Sequence, residues 1–538
     1  MKFIKYYIIV SILSLCASSC NNDDFFEPTN PPENPWINLE EFEKSAAGAY
    51  WAGLNRGSWD NMVGGPRLLK TCQSDIAQLL EGTSANVPFS EMYNRTSNIE
   101  IDKSTNTFRN AYRVITIANS ALDFIEENEG NPYPNIGESD IKNNLRRIEG
   151  ELHFMRGYAY YMMSTVLLPA YEPGGNNNSE KRLPIRISFD DNLEGAKNPE
   201  IGTTQQIYDL MLADFTKAKD LLPERFDPTL HHPSYAEGRA NRFAASAMLA
   251  RLYFMMGLDQ EALIELNYII DENGGDYDLS EDPIEAFNRD DETRGREVIW
   301  YTYYADPIRN SNARELTTMT LQSYNATNGG FEKDNGFLRI TWNQFTLSYA
   351  ALKQIGWMTD PQNNEFSITP EALQDKRFLQ VYRKLEGYNP DPEADPTVFE
   401  TIHSQVTTPM VWCDKYYRGK VLGSRTNIPL IRLAEMYLTR SLLRLRNGDA
   451  AGATNDLNVV RNRAEIGDLP GTITEDDIHN ERIKELAFEG DRTDYLRSAK
   501  LNIPPGDRGI NEVPYNDKSL VWPIPQRELD LNLGYSEN

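Results

Sequence analysis

Five histidines, His153, His231, His232, His403 and His479, are the whole imidazole supply of a chain of 538 residues. His231 and His232 are adjacent, and neighbours in sequence cannot aim two ring nitrogens at one metal from a single helix face. No HExxH, CxxC, GxSxG, phosphate loop or GxGxxG occurs, so the spacings for zinc proteolysis, thiol redox, acyl transfer and nucleotide binding are missing. Carboxylates are abundant, at 80 Asp and Glu, which makes close pairs along the sequence uninformative. A glycosidase needs two of them about 5–9.5 Å apart across a cleft, a property of the fold rather than of spacing. The run DENGGDYDLSED, Asp271–Asp282, starts like a calcium loop with Asp271 and Asn273. It departs at Gly275, a ligand position, and at Asp276, where the turn needs glycine, so the expectation is a solvated acidic turn and no metal. The run ERIKELAFEGDRTDYLR, Glu481–Arg497, has Ile483, Leu486, Ala487 and Gly490 on one helical face. Arg482 with Glu485 and Glu489 with Arg492 fall at i,i+3, which predicts ion pairs that knit a helix to its neighbours rather than catalysis.

The cysteines divide into two kinds. Lys2 and Lys5, the apolar run Tyr6–Leu15 and the small residues Ala17, Ser18 and Ser19 form the three parts of a secretory signal. The run is shorter than the roughly 20 apolar residues of a spanning helix. Cys20 follows the small residues directly, in the manner of a bacterial lipobox, where the cysteine becomes the first mature residue and carries lipid. Cys16, after bulky Leu15, fits worse. Acyl chains at about 0.8 kcal/mol per buried CH₂ would hold such a chain on a membrane. Residues 20–36, acidic and proline-rich, read as a tether unable to bury a core. Cys72 and Cys413 lie in the body, as a disulfide or as two buried thiols.

Those residues must be carried by a large core, which 40% hydrophobic content and 11% aromatics allow. Residues 1–19 hold two lysines and no acid, so their removal takes the formal charge from −26 to −28. Such a surface repels nucleic acid and gives no polybasic membrane contact. The body reads as mainly α. Thr105–Glu127 and Ile141–Leu168 suit long helices. Thr203–Leu222 has a capping hydroxyl before it and Pro223 after it. In Arg239–Ile270, the residues Leu249, Ala250, Tyr253, Gly257, Ala262, Leu266 and Ile269 fall at tetratricopeptide spacing. Gly448, Ala453, Leu457 and Val460 repeat those intervals, with Leu430, Leu433, Ala434, Tyr437, Ser441 and Leu445 expected on one buried face. The helix pairs thus cover about 105–168, 203–270 and 428–467; about 180 residues between the last two argue against a plain solenoid. Between them, about 271–425, REVIWYTYYADP reads as a strand, and a long polar stretch with scattered aromatics follows. In VWPIP, near the end, Trp522 reads as a packed anchor.

Taken together, EGELHFMRGYAYYMMSTVLLPAYEP, LPIRI, GRANRFAASAMLARLYFMMG, IPLIRLAEMYLTRSLLRLRNGD with LNVVRNRA, and IHNERIKELAFEGDRTDYLR with WPIPQREL resemble, in order, the blocks of the SusD/RagB family of Bacteroidetes outer-membrane nutrient-binding lipoproteins. Thr439–Arg440–Ser441 and Ser498 depart from its pattern. The resemblance implies a single α-helical SusD-like domain over 37–538, behind a signal over 1–19 and a lipid-bearing tether with Cys20 at its head. It implies a surface-facing outer-membrane protein, anchored only through that lipid, with no cofactor and no enzymatic step. The implied partners are a SusC-like TonB-dependent transporter and a nutrient, most often an oligosaccharide, with peptide as the alternative and a surface glycoside hydrolase behind both. In the family the ligand surface comes from an N-terminal loop and the variable middle; here those hold Trp59, Tyr93, Asn94 and Arg95, and Tyr324 and Trp342.

Overall fold

The computed structural model describes residues 36–55, 61–79, 87–96, 102–132, 136–189, 198–287, 295–303, 345–359, 367–385, 410–413, 415 and 428–535, with four two-residue strands between 324 and 338. The principal helices are α1 (Leu39–Tyr50), α2 (Gly64–Gln73), α3 (Val87–Asn94), α4 (Asp102–Glu127), α5 (Arg146–Leu167), α6 (Thr204–Leu221), α7 (Arg242–Met256), α8 (Asp259–Asp271), α9 (Leu433–Arg446), α10 (Ala450–Arg463), α11 (Glu475–Leu486) and α12 (Asp491–Ser498). The fold is mainly α. No described helix is long and apolar enough to cross a membrane.

Local chemistry sets the helix ends. Thr203 accepts from the Gln206 amide while Gln206 reaches back to the Thr203 amide, a capping box that starts α6 where the hydroxyl was expected. Thr474 and Asp477 do the same for α11. Asn241 caps α7 and Asp449 caps α10. Gly257 closes α7 at φ +73, a left-handed conformation that glycine adopts without steric cost, and the chain turns directly into α8. Ala262 is fully buried in the contact with α7.

From α4 to α10 each helix packs on the next: α4 on α5, α5 on α6, α6 on α7, α7 on α8, α8 on α9 and α9 on α10. The α8–α9 contact brings the two tetratricopeptide-like pairs side by side across the separation that argued against a plain solenoid. Val298–Thr302 pairs antiparallel with Ile428–Arg432, with Thr302 opposite Ile428, so the intervening segment leaves and returns at one place. The array continues from α8 directly onto α9. Ile428–Arg432 is itself a correction, since the sequence reading began a helix pair there. Its isoleucines suit a strand, Pro429 is disfavoured inside a helix, and every residue of it is buried. Helix α9 begins only at Leu433, where the backbone amide bonds the Glu297 carbonyl.

Buried arginines and carboxylates cross-link the array. Arg156 forks onto Asp214 at 2.9 and 2.7 Å, tying α5 to α6, and Arg440 forks onto Asp456 at 2.9 and 2.8 Å, tying α9 to α10. Arg432 meets Glu297, Glu485 and Glu489, while Glu485 also meets Arg377 and Arg463. The expected i,i+3 pairs are not the ones formed. Arg482 bonds Asp491 and Thr439, and Arg492 bonds Asp75. The single helical face expected through Gly490 is also broken: α11 ends at Leu486 and α12 starts after Gly490. The role as a knot between neighbouring elements is as anticipated; the partners come from elsewhere in the chain. Trp522 is fully buried, its amide donating to the Val166 carbonyl at 2.7 Å. Cys72 and Cys413 are buried thiols, not a disulfide.

Candidate functional site

The two stretches expected to carry ligand contacts are joined at their roots. Ala77–Leu79 pairs antiparallel with Phe345–Leu347, with Leu79 opposite Phe345. The chain leaves this short ribbon into residue 80 on one side and arrives from residue 344 on the other. Such a ribbon is marginal alone, and the surrounding hydrogen bonds explain its persistence. The Ser348 amide donates to the Ile76 carbonyl at 2.8 Å and its hydroxyl to the Asp75 carbonyl at 2.9 Å. Asp507 accepts from the amides of Tyr349 and Ala350, at 2.5 and 3.0 Å, where a short helix begins. Gly506, at φ +65, lets the C-terminal loop lie on this edge: a Cβ there would stand 2.4 Å from the Asp75 carbonyl oxygen.

Arginines complete the frame. Arg508 donates to the carbonyls of Cys72, Gln73, Ser74 and Tyr93, and its guanidinium lies 4.3 Å from the centroid of the Tyr93 ring. Arg95, itself at φ +54, donates to the carbonyls of Gln73, Ile503 and Pro504. Burial, and then the neighbouring Arg508 charge, pull the Arg95 guanidinium down to about 10, still protonated at neutral pH. Arg492 forks onto Asp75 at 2.9 and 2.7 Å. The Tyr93 hydroxyl donates to Gln78 Oε1 at 2.9 Å, and Gln78 sits opposite Thr346 in the ribbon.

This geometry sorts the expected residues. Tyr93 and Arg95 are 9% and 5% exposed and spend their polar groups inside the frame, so their side chains serve to build it. Asn94, between them, is exposed, with its amide 3.5 Å from the Ser90 hydroxyl. Tyr324 begins a two-residue strand, Tyr324–Asn325, paired with Gly330–Phe331. Its side chain, and Cys20, Trp59 and Trp342, lie outside the described residues. Gln78 and Arg508 went unnoticed in the sequence, and Arg492 was expected to pair with Glu489. Arg492 does stand in the charged run Glu481–Arg497, but its partner Asp75 is 417 positions away.

Glu485 and Glu489 are unsuited to acid catalysis. Burial alone would raise Glu485, but Arg463, Arg432, Arg377 and Lys415 overcome it and hold the carboxyl well below its ordinary range. Glu489 is held down in the same way by Arg432 and Lys415. A general acid needs a raised value near the working pH. The acidic turn Asp271–Asp282 is also committed: Asp271 pairs with Arg440, Asp276 with Arg225 and Asp278 with Arg296, and Asn273 closes the turn onto the Gly275 amide. Among the described residues no group of three or more His, Cys, Asp or Glu is placed to hold a metal ion. A cavity of about 100 Å³ between Arg67, Arg251, Arg482 and Asp494 is smaller than the roughly 300–1,000 Å³ of ligand pockets.

A family model described as "Starch-binding associating with outer membrane" matches residues 58–254, and the SusD family model matches residues 261–538. The starch-binding protein SusD of Bacteroides thetaiotaomicron is 33% identical over 122 residues, a match that covers 21% of this chain and 21% of the length of that protein. A solved SusD superfamily protein of Bacteroides thetaiotaomicron superposes with a TM-score of 0.67 at 22% identity, covering 93% of this chain and 99% of the other. Surface glycan-binding protein A of Bacteroides uniformis gives a TM-score of 0.66 at 18% identity, covering 92% and 98%. These likenesses, at low identity, show a shared fold over the helical array and the frame alike. With the SusD model spanning more than half of the residues, the chain belongs to the SusD/RagB family.

Proposed function

We propose that this protein is a lipid-anchored, cell-surface binding protein of the outer membrane. It captures an oligosaccharide or polysaccharide and passes it to a SusC-like TonB-dependent transporter. The observation that carries the reading is the ribbon of Ala77–Leu79 with Phe345–Leu347, which roots both candidate ligand segments at one edge of a rigid body. Trp342 stands three positions before Phe345 in the sequence, and Asn94 is exposed on the helix whose Tyr93 bonds the ribbon. Sugars present flat C–H faces to aromatic rings and hydroxyls to Asn, Asp and Arg. Stacking also lets an acidic protein hold a neutral ligand without charge pairing. The family models and the starch- and glycan-binding names of the relatives support the same ligand class. No chemical step belongs to this reading, in keeping with Glu485 and Glu489, which their cationic neighbours hold ionised.

A glycan and peptide array with the purified, non-lipidated protein tests it. Glycans are expected to bind, and prolonged incubation with them to release no new reducing ends. Retention of peptides alone would favour peptide capture. Sustained turnover lost on mutating one carboxylate would make the protein a hydrolase. For the anchor, Cys20→Ala is expected to abolish metabolic labelling with fatty acid and to release the protein from the outer membrane; label retained by the variant would contradict it.

A further inference from the structure

A surface groove of about 940 Å³ runs between the C-terminal end of α1, the N-terminal half of α4 and the segment Pro525–Asn532. Its charge is anomalous. Among the described residues it is lined by four cations, Arg109, Arg113, Arg186 and Arg527, against one carboxylate, Glu528, on a chain of formal charge −26. Arg109 and Arg113 stand at i,i+4, so α4 turns a basic stripe toward it. The remaining wall is apolar and open, with Trp51 55% and Leu531 60% exposed. A basic rim around exposed hydrophobic surface fits an acidic partner that also brings aromatic side chains.

Residues 20–35 have that chemistry. They hold Asp23, Asp24, Glu27 and Glu33, no lysine or arginine, and Phe25 and Phe26 as their only large apolar side chains. They also join the body within reach of the groove. Trp36 stacks on Phe42 of α1 with ring centroids 4.5 Å apart and lies 6.3 Å from Phe124 of α4. From Phe124 to Arg109 is about 22 Å at 1.5 Å per helical residue. The ten residues from Trp36 back to Phe26 reach up to about 33–36 Å when extended, enough to cover that distance.

We propose that the groove is the docking site of the chain's own tether. Phe25 and Phe26 lie against the Trp51–Leu531 surface, and Asp23, Asp24 and Glu27 pair with the arginine rim. Where Cys20 carries lipid, as the proposed function has it, docking shortens the leash. About 16 free residues, up to roughly 55 Å, become about three, up to roughly 10 Å, and the groove face is drawn toward the bilayer.

Hydrogen–deuterium exchange of the full chain in detergent tests this. Amides of Asp23–Glu27 are expected to exchange at least tenfold more slowly in the parent than in Arg109→Glu/Arg527→Glu. Asp23→Arg/Asp24→Arg added to that variant is expected to restore the protection. Protection of α4 amides in every variant reports an intact fold. Tether amides that exchange at free-peptide rates in the parent, or protection that the double variant leaves unchanged, or a swap that fails to restore it, would overturn the proposal. The same measurement on Cys20→Ala keeps the two readings apart: docking predicts unchanged protection there, whatever fatty-acid labelling says about the anchor.

Discussion

Arg432, beneath the helical array, and Arg508, beneath the ligand-side frame, are both buried cations, and they are compensated in opposite ways. Arg432 lies among three carboxylates drawn from separate elements, Glu297, Glu485 and Glu489. Arg508 faces the carbonyls of Cys72, Gln73, Ser74 and Tyr93. The difference follows from the backbone around each. Helix interiors satisfy their own carbonyls, so a cation beside them needs charged side chains. Cys72, Gln73 and Ser74 close α2 and Tyr93 lies in the last turn of α3, where carbonyls have no intrahelical partner, and a guanidinium with five N–H donors supplies one. Arg508 and Arg95 act here as caps on helix ends.

That contrast can be broken by removing one cation from each side. Arg432→Met leaves three buried carboxylates short of a partner and is expected to cost about 3–5 kcal/mol of global stability, measured by chemical denaturation. A loss below about 1 kcal/mol would mean that Arg377, Arg463 and Lys415 suffice without it. Arg508→Met removes charged donors from carbonyls and is expected to cost about 1.5–3 kcal/mol. Hydrogen exchange is expected to rise in residues 72–79 and 93–96 while α6–α10 stay protected. Exchange that rises evenly over the whole chain would erase the distinction between the two regions.

The smallest effect is one of pH. His479 is lowered to about 4, first by burial and then by the nearby Arg492 charge, and its Nδ1 lies 2.6 Å from the Tyr495 hydroxyl. Its unfolded value is about 6.5. Between those values the unfolded chain binds the extra proton, so stability falls as the pH drops from 6.5 toward 4. His479→Gln is expected to flatten the slope between pH 6.5 and 5, above the range where carboxylates such as Glu485 begin to contribute. An unchanged slope would show that the histidine takes up its proton without unfolding.

The two regions also differ in how far they can be read from sequence. Helices announce themselves through apolar residues at three- and four-residue spacing and through local caps, so Thr203, Gly257 and Ala262 were recognisable for what they do. Ile428–Arg432 was not, because a short apolar run is compatible with strand or helix until its partner is known, and Val298–Thr302 is over a hundred residues earlier. The frame was the least legible. Tyr93 and Arg95 look like binding residues in a polar loop, yet Gln78, Gln73 and the C-terminal loop claim them through contacts as distant as Pro504. A side chain that bonds a distant carbonyl leaves no periodicity behind.

The most direct test of ligand capture by the segments rooted at the ribbon is calorimetric titration of Trp342→Ala against the parent, with a glycan selected on the array, beside thermal melting of both. Loss of one stacked aromatic is expected to cost about 1–3 kcal/mol of binding, or roughly ten- to hundredfold in affinity, with the melting temperature unchanged. Unchanged affinity together with a fall in stability of about 3–5 kcal/mol, the cost of emptying a core tryptophan site, would contradict the account.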